Sequence, residues 1–251
     1  MKKVLLFLLL VGPVAFGQQI KPELWNKPWK AQWITYAENA NHVYSLTGLK
    51  DYGVFKFQKQ INLIEKPSTC VIHVSGDNRY KLYVNGTWVS AGPARGDLYF
   101  WNFETLDIAP FLKAGENKLE ALVWNEGKGK SEAQISYATG FILQADDVSQ
   151  SVCNTNMDWV VAKNMGVSPL AVRVPGYYVA GAGELQEYAK GWSPFISAKS
   201  LGAGLTKGAS IDARGWMLVP SAIPAMELKP QRFAAIRQGG GDLIHGRAMT
   251  I

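Results

Sequence analysis

The chain has 251 residues, 47% of them hydrophobic and 18% charged, which indicates a globular protein and excludes a disordered one. Its net charge of +6 comes from scattered basic residues, so no nucleic-acid partner is predicted. Two cysteines and three histidines at distant positions give neither a disulfide scaffold nor the spacing of metal ligands. No metal and no cofactor is therefore predicted.

Residues 1–17 have the pattern of a secretory signal peptide. Lys2 and Lys3 form a basic start, residues 4–11 form an apolar run, and Ala15-Phe16-Gly17 is a small-x-small cleavage site. The run is too short to span a membrane with these flanks. The sequence thus predicts an exported protein, periplasmic or secreted, with no membrane partner after cleavage.

Three short strands are predicted next, over residues 31–36, 54–63 and 70–75. The second alternates well, with Phe55, Phe57 and Ile61 on one face and polar residues opposite, as in a half-buried antiparallel strand. Cys70 begins the third on its apolar face. Export permits a disulfide between Cys70 and Cys153, and a buried free thiol is an equal alternative.

Residues 77–97 are predicted to form a hairpin, because Asn85-Gly86 between alternating apolar residues favours a type I′ turn. A two-residue loop pairs Val84 with Thr87, Tyr83 with Trp88, and Leu82 with Val89. The face that carries Leu82 and Val84 is predicted to be core. The face that carries Tyr83 and Trp88 is predicted to be partly covered surface.

Further strands are predicted over residues 118–124, 133–144 and 158–163, and Asp107 is predicted to cap a helical turn. The pattern weakens from Gly166 onward. Short strands with turn signals between them predict an all-β fold, a jelly-roll (galactose-binding-like) β-sandwich with a loop-rich C-terminal extension. The predicted domains are a signal peptide at 1–17, the β-sandwich module at 18–165, and an extension or linker at 166–251.

One series of motifs resembles the N-terminal module of bacterial α-L-rhamnosidases and their relatives. The resemblance covers most of the chain after the signal peptide, and its motifs are residues 80–86 (YKLYVNG), 92–97 (GPARGD), 105–108 (TLDI), 112–117 (LKAGEN), 119–124 and 216–220 (WMLVP). It implies an accessory module whose partners are a catalytic domain and rhamnose-containing glycans.

The same resemblance places the family's chemistry elsewhere, on an (α/α)₆ barrel that carries the two carboxylates of an inverting glycosidase. This sequence has no helical pattern for such a barrel, and no carboxylate matches the family's catalytic positions, so no catalytic residue is predicted. The resemblance implies a non-catalytic carbohydrate-associated module, truncated before the barrel. The alternative is a free-standing, lectin-like carbohydrate-binding protein.

The predicted substrate-binding residues are aromatic and charged side chains around the hairpin: Trp88, Arg95, Asp97, Trp101 and Trp124. Aromatic rings stack on the apolar faces of sugars, but for any single one of them core packing or a domain interface is the preferred explanation. Tyr83 and Tyr99 could join this platform, and Asp77 and Arg79 could add polar contacts. Arg95-Gly96-Asp97 also spells a cell-adhesion tripeptide, but a structural role in a turn-rich loop is preferred.

Several carboxylate pairs invite a catalytic interpretation, namely Glu104 with Asp107, Asp146 with Asp147, and Glu184 with Glu187. Caps and surface turns explain the first two pairs better. A self-contained enzyme that uses Glu184 or Glu187 remains a third, weaker hypothesis. Gly239-Gly240-Gly241 lacks the following lysine and helix of a phosphate-binding loop.

Overall fold

The structure is a computed structural model that describes residues 20–39, 52–131, 133–170, 183–208 and 215–224. The predicted signal peptide and the glycine run near the C-terminus lie outside these residues. Two sheets, in which most strand pairs are antiparallel, pack face to face as a β-sandwich. The predicted all-β fold is therefore confirmed. No helix within the described ranges has the length and apolar character to cross a bilayer.

The strands are short except for two of twelve residues each. They are β1 (Gln32–Thr35), β2 (Tyr52–Leu63), β3 (Val71–Asp77), β4 (Arg79–Val84), β5 (Thr87–Gly92), β6 (Trp101–Asp107), β7 (Gly115–Glu126), β8 (Gly140–Ala145), β9 (Val160–Lys163), β10 (Val167–Pro169), β11 (Glu184–Gln186), β12 (Ile196–Ser197), β13 (Lys199–Ala203), β14 (Leu205–Thr206) and β15 (Met217–Pro220). One α-helical turn, α1, spans Glu23–Asn26, and short 3₁₀ helices span Ala37–Asn39, Ala109–Phe111, Gly127–Gly129, Val148–Cys153 and Tyr188–Lys190.

The first sheet has six strands in the order β12-β9-β2-β7-β4-β5, and the second has seven in the order β13-β1-β8-β3-β6-β15-β14. β10 and β11 form a separate two-stranded ribbon. The long strands β2 and β7 form the centre of the first sheet in uninterrupted register, with Phe55 opposite Val123 and Phe57 opposite Ala121. This pairing agrees with the alternation in both sequences, because a slip by one residue would place the two apolar sets on opposite faces of the sheet.

The main core fills the space between the two sheets. Phe55, Phe57 and Leu82 contribute from the six-stranded sheet, and Ile72 and Phe141 contribute from the seven-stranded sheet. All five side chains have no exposed surface. Complete burial of five large apolar side chains stabilises the fold by about 1.5–3 kcal/mol for each, before the entropy cost of ordering them.

A second core covers the other face of the seven-stranded sheet. It contains four tryptophans, Trp29, Trp33, Trp101 and Trp216, together with Phe103, Ile142 and Leu218. Both faces of this sheet are therefore covered near β8, where all six residues are buried. This explains why Phe141, Ile142 and Leu143 are apolar in succession instead of alternating with polar residues.

The hairpin confirms the predicted turn and corrects part of its register. Asn85 and Gly86 both have positive φ, at 51° and 82°, as a type I′ turn requires. Tyr83 pairs with Trp88 as predicted, but Leu82 pairs with Ser90 and not with Val89. β5 carries one extra residue at this point, a β-bulge, and such a local insertion has no signal in the alternation of side chains.

Amide side chains fasten this turn to the start of β7. Asn85 Nδ2 donates to Asn117 Oδ1 at 2.8 Å, and Asn85 Oδ1 accepts from the Lys118 N–H at 2.9 Å. Asn117 is buried and its Nδ2 donates to the carbonyl of Lys113 at 2.7 Å. The Leu-x-x-Gly-x-Asn sequence is thus a structural partner of the hairpin turn.

Asp77 at the end of β3 is completely buried and accepts five hydrogen bonds. The donors are Asn78 Nδ2, Ser136 Oγ, the N–H groups of Tyr137 and Ala138, and Trp216 Nε1. Burial raises the pKa of Asp77 to about 6, although these hydrogen bonds act in the opposite direction. Asp77 therefore has a structural role and is not available as the polar surface contact predicted from the sequence.

Strands that follow Gly166 pair with both sheets. β12 pairs with β9, β13 pairs with β1, and β15 lies parallel to β6. The boundary between the module and the extension stays a prediction, because parts of the extension are structurally continuous with the sandwich. Cys70 and Cys153 are both buried free thiols in the main core.

Gly86→Val is expected to lower the free energy of unfolding by about 1–2 kcal/mol, because a β-branched residue is strained at positive φ. An added Cβ would meet nothing within 4 Å, so the effect isolates backbone conformation from packing. Urea denaturation followed by tryptophan fluorescence measures the change. Gly86→Asn is the matched control, since asparagine tolerates this region, and an equal loss in both variants would contradict the explanation.

Asp77→Asn is expected to change how stability depends on pH. Between an unfolded-state pKa of 3.8 and a folded-state pKa of about 6, the folded chain retains a proton that the unfolded chain has lost. The contribution of Asp77 to the free energy of unfolding therefore falls as pH rises through this window, and the whole decrease is about 3 kcal/mol. The difference between wild type and Asp77→Asn, measured by urea denaturation from pH 4 to 7, should show this change.

His73 changes the free energy of unfolding in the opposite direction over the same pH range. The test therefore uses the difference in stability between wild type and Asp77→Asn. Burial lowers the pKa of His73 to about 4, so stability from the neutral imidazole is lost as pH falls below its unfolded pKa of 6.5. This contribution is common to wild type and Asp77→Asn and cancels in the difference. Parallel stability curves for the two proteins would contradict the role assigned to Asp77.

Candidate functional site

A cleft of about 520 Å³ opens at one edge of the sandwich, between β5 of the first sheet and β6 of the second. We call it the edge cleft. Its lining among the described residues consists of Arg79, residues 89–95, Asn102, residues 104–106 and residues 221–224. Its volume lies within the range of small-molecule sites in proteins.

Hydrogen bonds from β6 hold the loop that forms one wall of the edge cleft. Asn102 Nδ2 donates to the carbonyls of Ala94 and Arg95 at 3.3 and 3.1 Å, and Glu104 Oε1 accepts from the Ala94 N–H at 3.0 Å. On the opposite side, the Ser221 N–H donates to the Phe103 carbonyl at 2.9 Å. The loop that contains Ala94 and Arg95 and the opposite wall that contains Ser221 are therefore both hydrogen-bonded to β6.

Arg79 and Arg95 place positive charge in the edge cleft. Arg79 is partly buried and donates from one terminal nitrogen to the Pro93 carbonyl at 2.6 Å. Burial lowers the pKa of Arg79, and the nearby guanidinium of Arg95 lowers it further. Neither arginine takes part in any ion pair found within the described part of the chain.

Glu104 is the one carboxylate among the described residues that line the edge cleft. Burial raises the pKa of its carboxyl group, while the Ala94 N–H and the Ser221 side chain act in the opposite direction. Asp107, for which the sequence favoured a capping role over catalysis with Glu104, accepts from the backbone N–H groups of Cys70 and Ala109, at 2.8 and 2.9 Å. Asp107 thus caps the 3₁₀ turn, and the two carboxylates have separate structural roles.

The outer face of the six-stranded sheet carries four aromatic side chains that we call the aromatic face: Tyr83, Trp88, Trp124 and Trp192. Tyr83 lies directly opposite Trp88. Lys81 lies 5.2 Å from the ring centre of Trp88. Trp124 pairs across the strands with Arg79, so the aromatic face adjoins the edge cleft at that point.

The structure divides three of the five predicted binding residues between two surfaces. Trp88, which is 41% exposed, and Trp124 lie on the aromatic face, and Arg95 lines the edge cleft. Asp97 lies beyond the cleft, where its Oδ1 accepts from the N–H groups of Tyr99 and Phe100 at 2.8 and 2.9 Å. Asp97 therefore shapes a turn.

Trp101 corrects the prediction most clearly, because it is only 2% exposed and belongs to the second core. Its indole N–H donates to Ser75 Oγ at 3.1 Å, and its ring packs edge-on against Trp216. Trp101 and Phe103 alternate along β6 and both point to the outer face of the sandwich. The second core covers that outer face, and no local pattern indicates this.

Sequence reasoning missed Asn102 and Ser221 and did not place Glu104 at a binding surface. Asn102 and Glu104 alternate along β6 on one side, a pattern that could have grouped them. Ser221 had no local signal, because it reaches the edge cleft through the parallel pairing of β15 with β6. Non-local pairing of this kind is invisible to patterns within one segment.

The remaining predicted carboxylates lie apart from the edge cleft. Glu184 accepts from the Tyr52 hydroxyl at 2.9 Å, and Glu187 forms an exposed ion pair with Lys190. Asp146 forms an ion pair with Lys21 at 2.7 Å. No three His, Cys, Asp or Glu side chains cluster as metal ligands would in the ranges that the structure describes.

Comparisons with known proteins support the fold. No family model and no curated protein matches the chain. Among solved structures, a GH78 family rhamnosidase of Bacillus sp. GL1 matches with a TM-score of 0.62 and 22% identity, covering 79% of this chain and 20% of that one. An α-L-rhamnosidase from Dictyoglumus thermophilum has a TM-score of 0.49 at 17% identity, covering 78% and 22% of the two chains. A lectin from Pleurotus ostreatus has a TM-score of 0.43 at 19% identity, covering 76% and 46%.

The first of these similarities identifies the class of fold. The chain has the fold of a β-sandwich module found within an α-L-rhamnosidase, and the predicted resemblance is confirmed at this level. The chain spans about a fifth of the length of the Bacillus rhamnosidase. A fold hosts many functions, so the role of the module must be inferred from its own site.

Asn102→Ala is expected to loosen the loop of the edge cleft without unfolding the sandwich. The substitution removes two hydrogen bonds to the loop, and we expect amide hydrogen exchange within residues 92–97 to become at least about fivefold faster. Exchange measured by mass spectrometry should show no change in peptides from β2 and β7. Uniformly faster exchange would contradict a local role for Asn102.

Proposed function

We propose that the chain is an exported, non-catalytic accessory module of an α-L-rhamnosidase-like glycoside hydrolase, and that it binds carbohydrate. The edge cleft is the observation that carries this proposal. It combines apolar wall residues such as Val89 and Leu106 with the polar groups of Arg79, Arg95 and Asn102. Saccharides need this combination, because they present C–H faces and hydroxyl groups together.

The arrangement of carboxylates supports a non-catalytic role. An inverting glycosidase needs an acid and a base about 6.5–9.5 Å apart, on either side of the bond that is cleaved. Glu104 has no second carboxylate beside it among the described lining residues of the edge cleft, and it is committed to the Ala94 N–H. We therefore expect the hydrolytic chemistry to belong to a separate catalytic domain, with this module beside it.

The aromatic face favours a second candidate function, that of a free-standing lectin-like protein. Trp88 is 41% exposed, and its indole N–H is already bonded to the Ser90 carbonyl at 2.9 Å, which fixes the ring. A fixed, exposed ring is a suitable stacking surface for a sugar. In this alternative the aromatic face, and not the edge cleft, would supply most of the binding energy.

We expect the purified chain to bind rhamnose-containing oligosaccharides without hydrolysing them. Isothermal titration calorimetry measures binding, and release of nitrophenol from an aryl α-L-rhamnoside measures turnover. Turnover by the purified chain that is lost in Glu184→Gln or Glu187→Gln would support a self-contained enzyme and contradict the proposal. Turnover that survives both substitutions would also contradict it.

Single substitutions show whether the edge cleft or the aromatic face binds the oligosaccharide. Arg95→Gln should weaken binding by about tenfold if the edge cleft is the site, since it removes a charged hydrogen-bond donor. Trp88→Ala should then change the affinity by less than about twofold. The opposite pattern would favour the lectin-like alternative. Circular dichroism of each variant confirms that the fold is intact.

A further inference from the structure

We infer that the edge cleft selects an acidic saccharide, whose anionic group is bound jointly by Arg79 and Arg95. The inference rests on the proposed carbohydrate-binding function and names the class of ligand. Uronic acids and sulfated sugars share the required chemistry, which is a delocalised anion attached to a sugar ring. Both arginines line the edge cleft. Arg79 begins β4 and bonds to the Pro93 carbonyl just after β5, and the charge of Arg95 is near enough to act on Arg79.

Arg79 is held in a position from which it can recognise a planar anion. Its guanidinium group has five N–H donors, and one of its terminal nitrogens donates to the Pro93 carbonyl. This bond and the partial burial of the side chain fix the guanidinium in place. Arg79 lines the edge cleft, where its remaining donors can give a carboxylate or sulfate two parallel hydrogen bonds.

Arg95 places a second positive charge near the first. The Arg95 carbonyl is bonded to Asn102, so its backbone is anchored while its exposed side chain can adapt to a ligand. Two neighbouring guanidinium groups repel each other, and no described carboxylate pairs with either of them. The negative charge of Glu126 raises the pKa of Arg79, which favours its charged form, but the two side chains do not form an ion pair. A bound anion would relieve the repulsion between the arginines.

The surroundings of the arginines favour a saccharide over a small inorganic anion. The edge cleft has about 520 Å³, which is far more than a single phosphate or sulfate ion fills. Trp124 lies across the strands from Arg79 and offers an aromatic ring beside the charge. Glu104 lies in the same cleft and can accept from sugar hydroxyl groups while it opposes a second anion.

Matched ligands test this inference by calorimetry. The probes are an oligosaccharide that contains a uronic acid, the same oligosaccharide with its carboxyl group reduced to an alcohol, and a sulfated oligosaccharide of similar length. We expect the uronic or the sulfated ligand to bind at least about tenfold more tightly than the reduced one. This preference should shrink as sodium chloride rises from about 20 to about 500 mM, because salt screens exposed charges.

Four variants test which residues cause the preference for the acidic oligosaccharide. Arg95→Gln and Arg79→Gln should each remove most of the preference for the acidic ligand, and Arg95→Lys should retain part of it. Glu104→Gln should strengthen the preference, because it removes the opposing charge and keeps an oxygen for the Ala94 N–H. Lys66→Gln is the control, since Lys66 is an exposed cation outside the edge cleft.

The outcomes distinguish this inference from the proposed function. Equal affinity for the acidic and reduced oligosaccharides overturns the inference and leaves carbohydrate binding in place. A preference that Lys66→Gln lowers as much as Arg95→Gln also overturns it, because the effect would then reflect net charge. Absence of binding to every saccharide by a natively folded chain overturns both. Arg95 is exposed, so its variant keeps the test valid if Arg79→Gln fails to fold.

Discussion

One buried carboxylate, that of Asp77, joins parts of the chain that are distant in sequence. It connects the end of β3 with Tyr137 and with Trp216, which in turn stacks on Trp33 at 4.0 Å between ring centres. Leaving this group buried without its donors would cost several kcal/mol, so the donors must be in place whenever the fold forms. The second core is thus organised by a polar interaction, although its bulk is tryptophan. The packing of Trp216 positions β15, and β15 leads directly into a wall of the edge cleft.

The edge cleft exists because two sheets of different extent meet at one side. β5 is the last strand of the six-stranded sheet, whereas in the other sheet β15 and β14 lie beyond β6. The space between β5 and β6 is closed by the loop that contains Ala94 and by residues 221–224. Both segments are hydrogen-bonded to β6. One strand therefore positions both the loop that carries Arg95 and residues 221–224, while Arg79 comes from β4. This is the arrangement in which a binding loop retains its geometry without a ligand, and it lowers the entropy cost of binding.

Local patterns predicted the features that depend on local chemistry. The Asn85-Gly86 turn, the alternation of β2 and the cap by Asp107 follow from φ preferences, side-chain period and hydrogen bonding within a few residues. Features that depend on long-range pairing were not predictable. The bulge opposite Leu82, the burial of Trp101 and the contribution of Ser221 all depend on which segment covers which face. The sequence alone could therefore nominate Arg95 as a binding residue, but it could not show which groups accompany it.

The order of the strands has a consequence for synthesis of the protein. Three of the four outermost strands of the two large sheets, β12, β13 and β14, lie within residues 196–206, and each is five residues or shorter. Short edge strands protect a finished sandwich from pairing with other chains. A growing chain, however, makes β2, β7 and β8 long before these covering strands emerge. Its inner strands have open backbone edges during that interval, when association with other nascent chains or with a chaperone competes with completion of the fold.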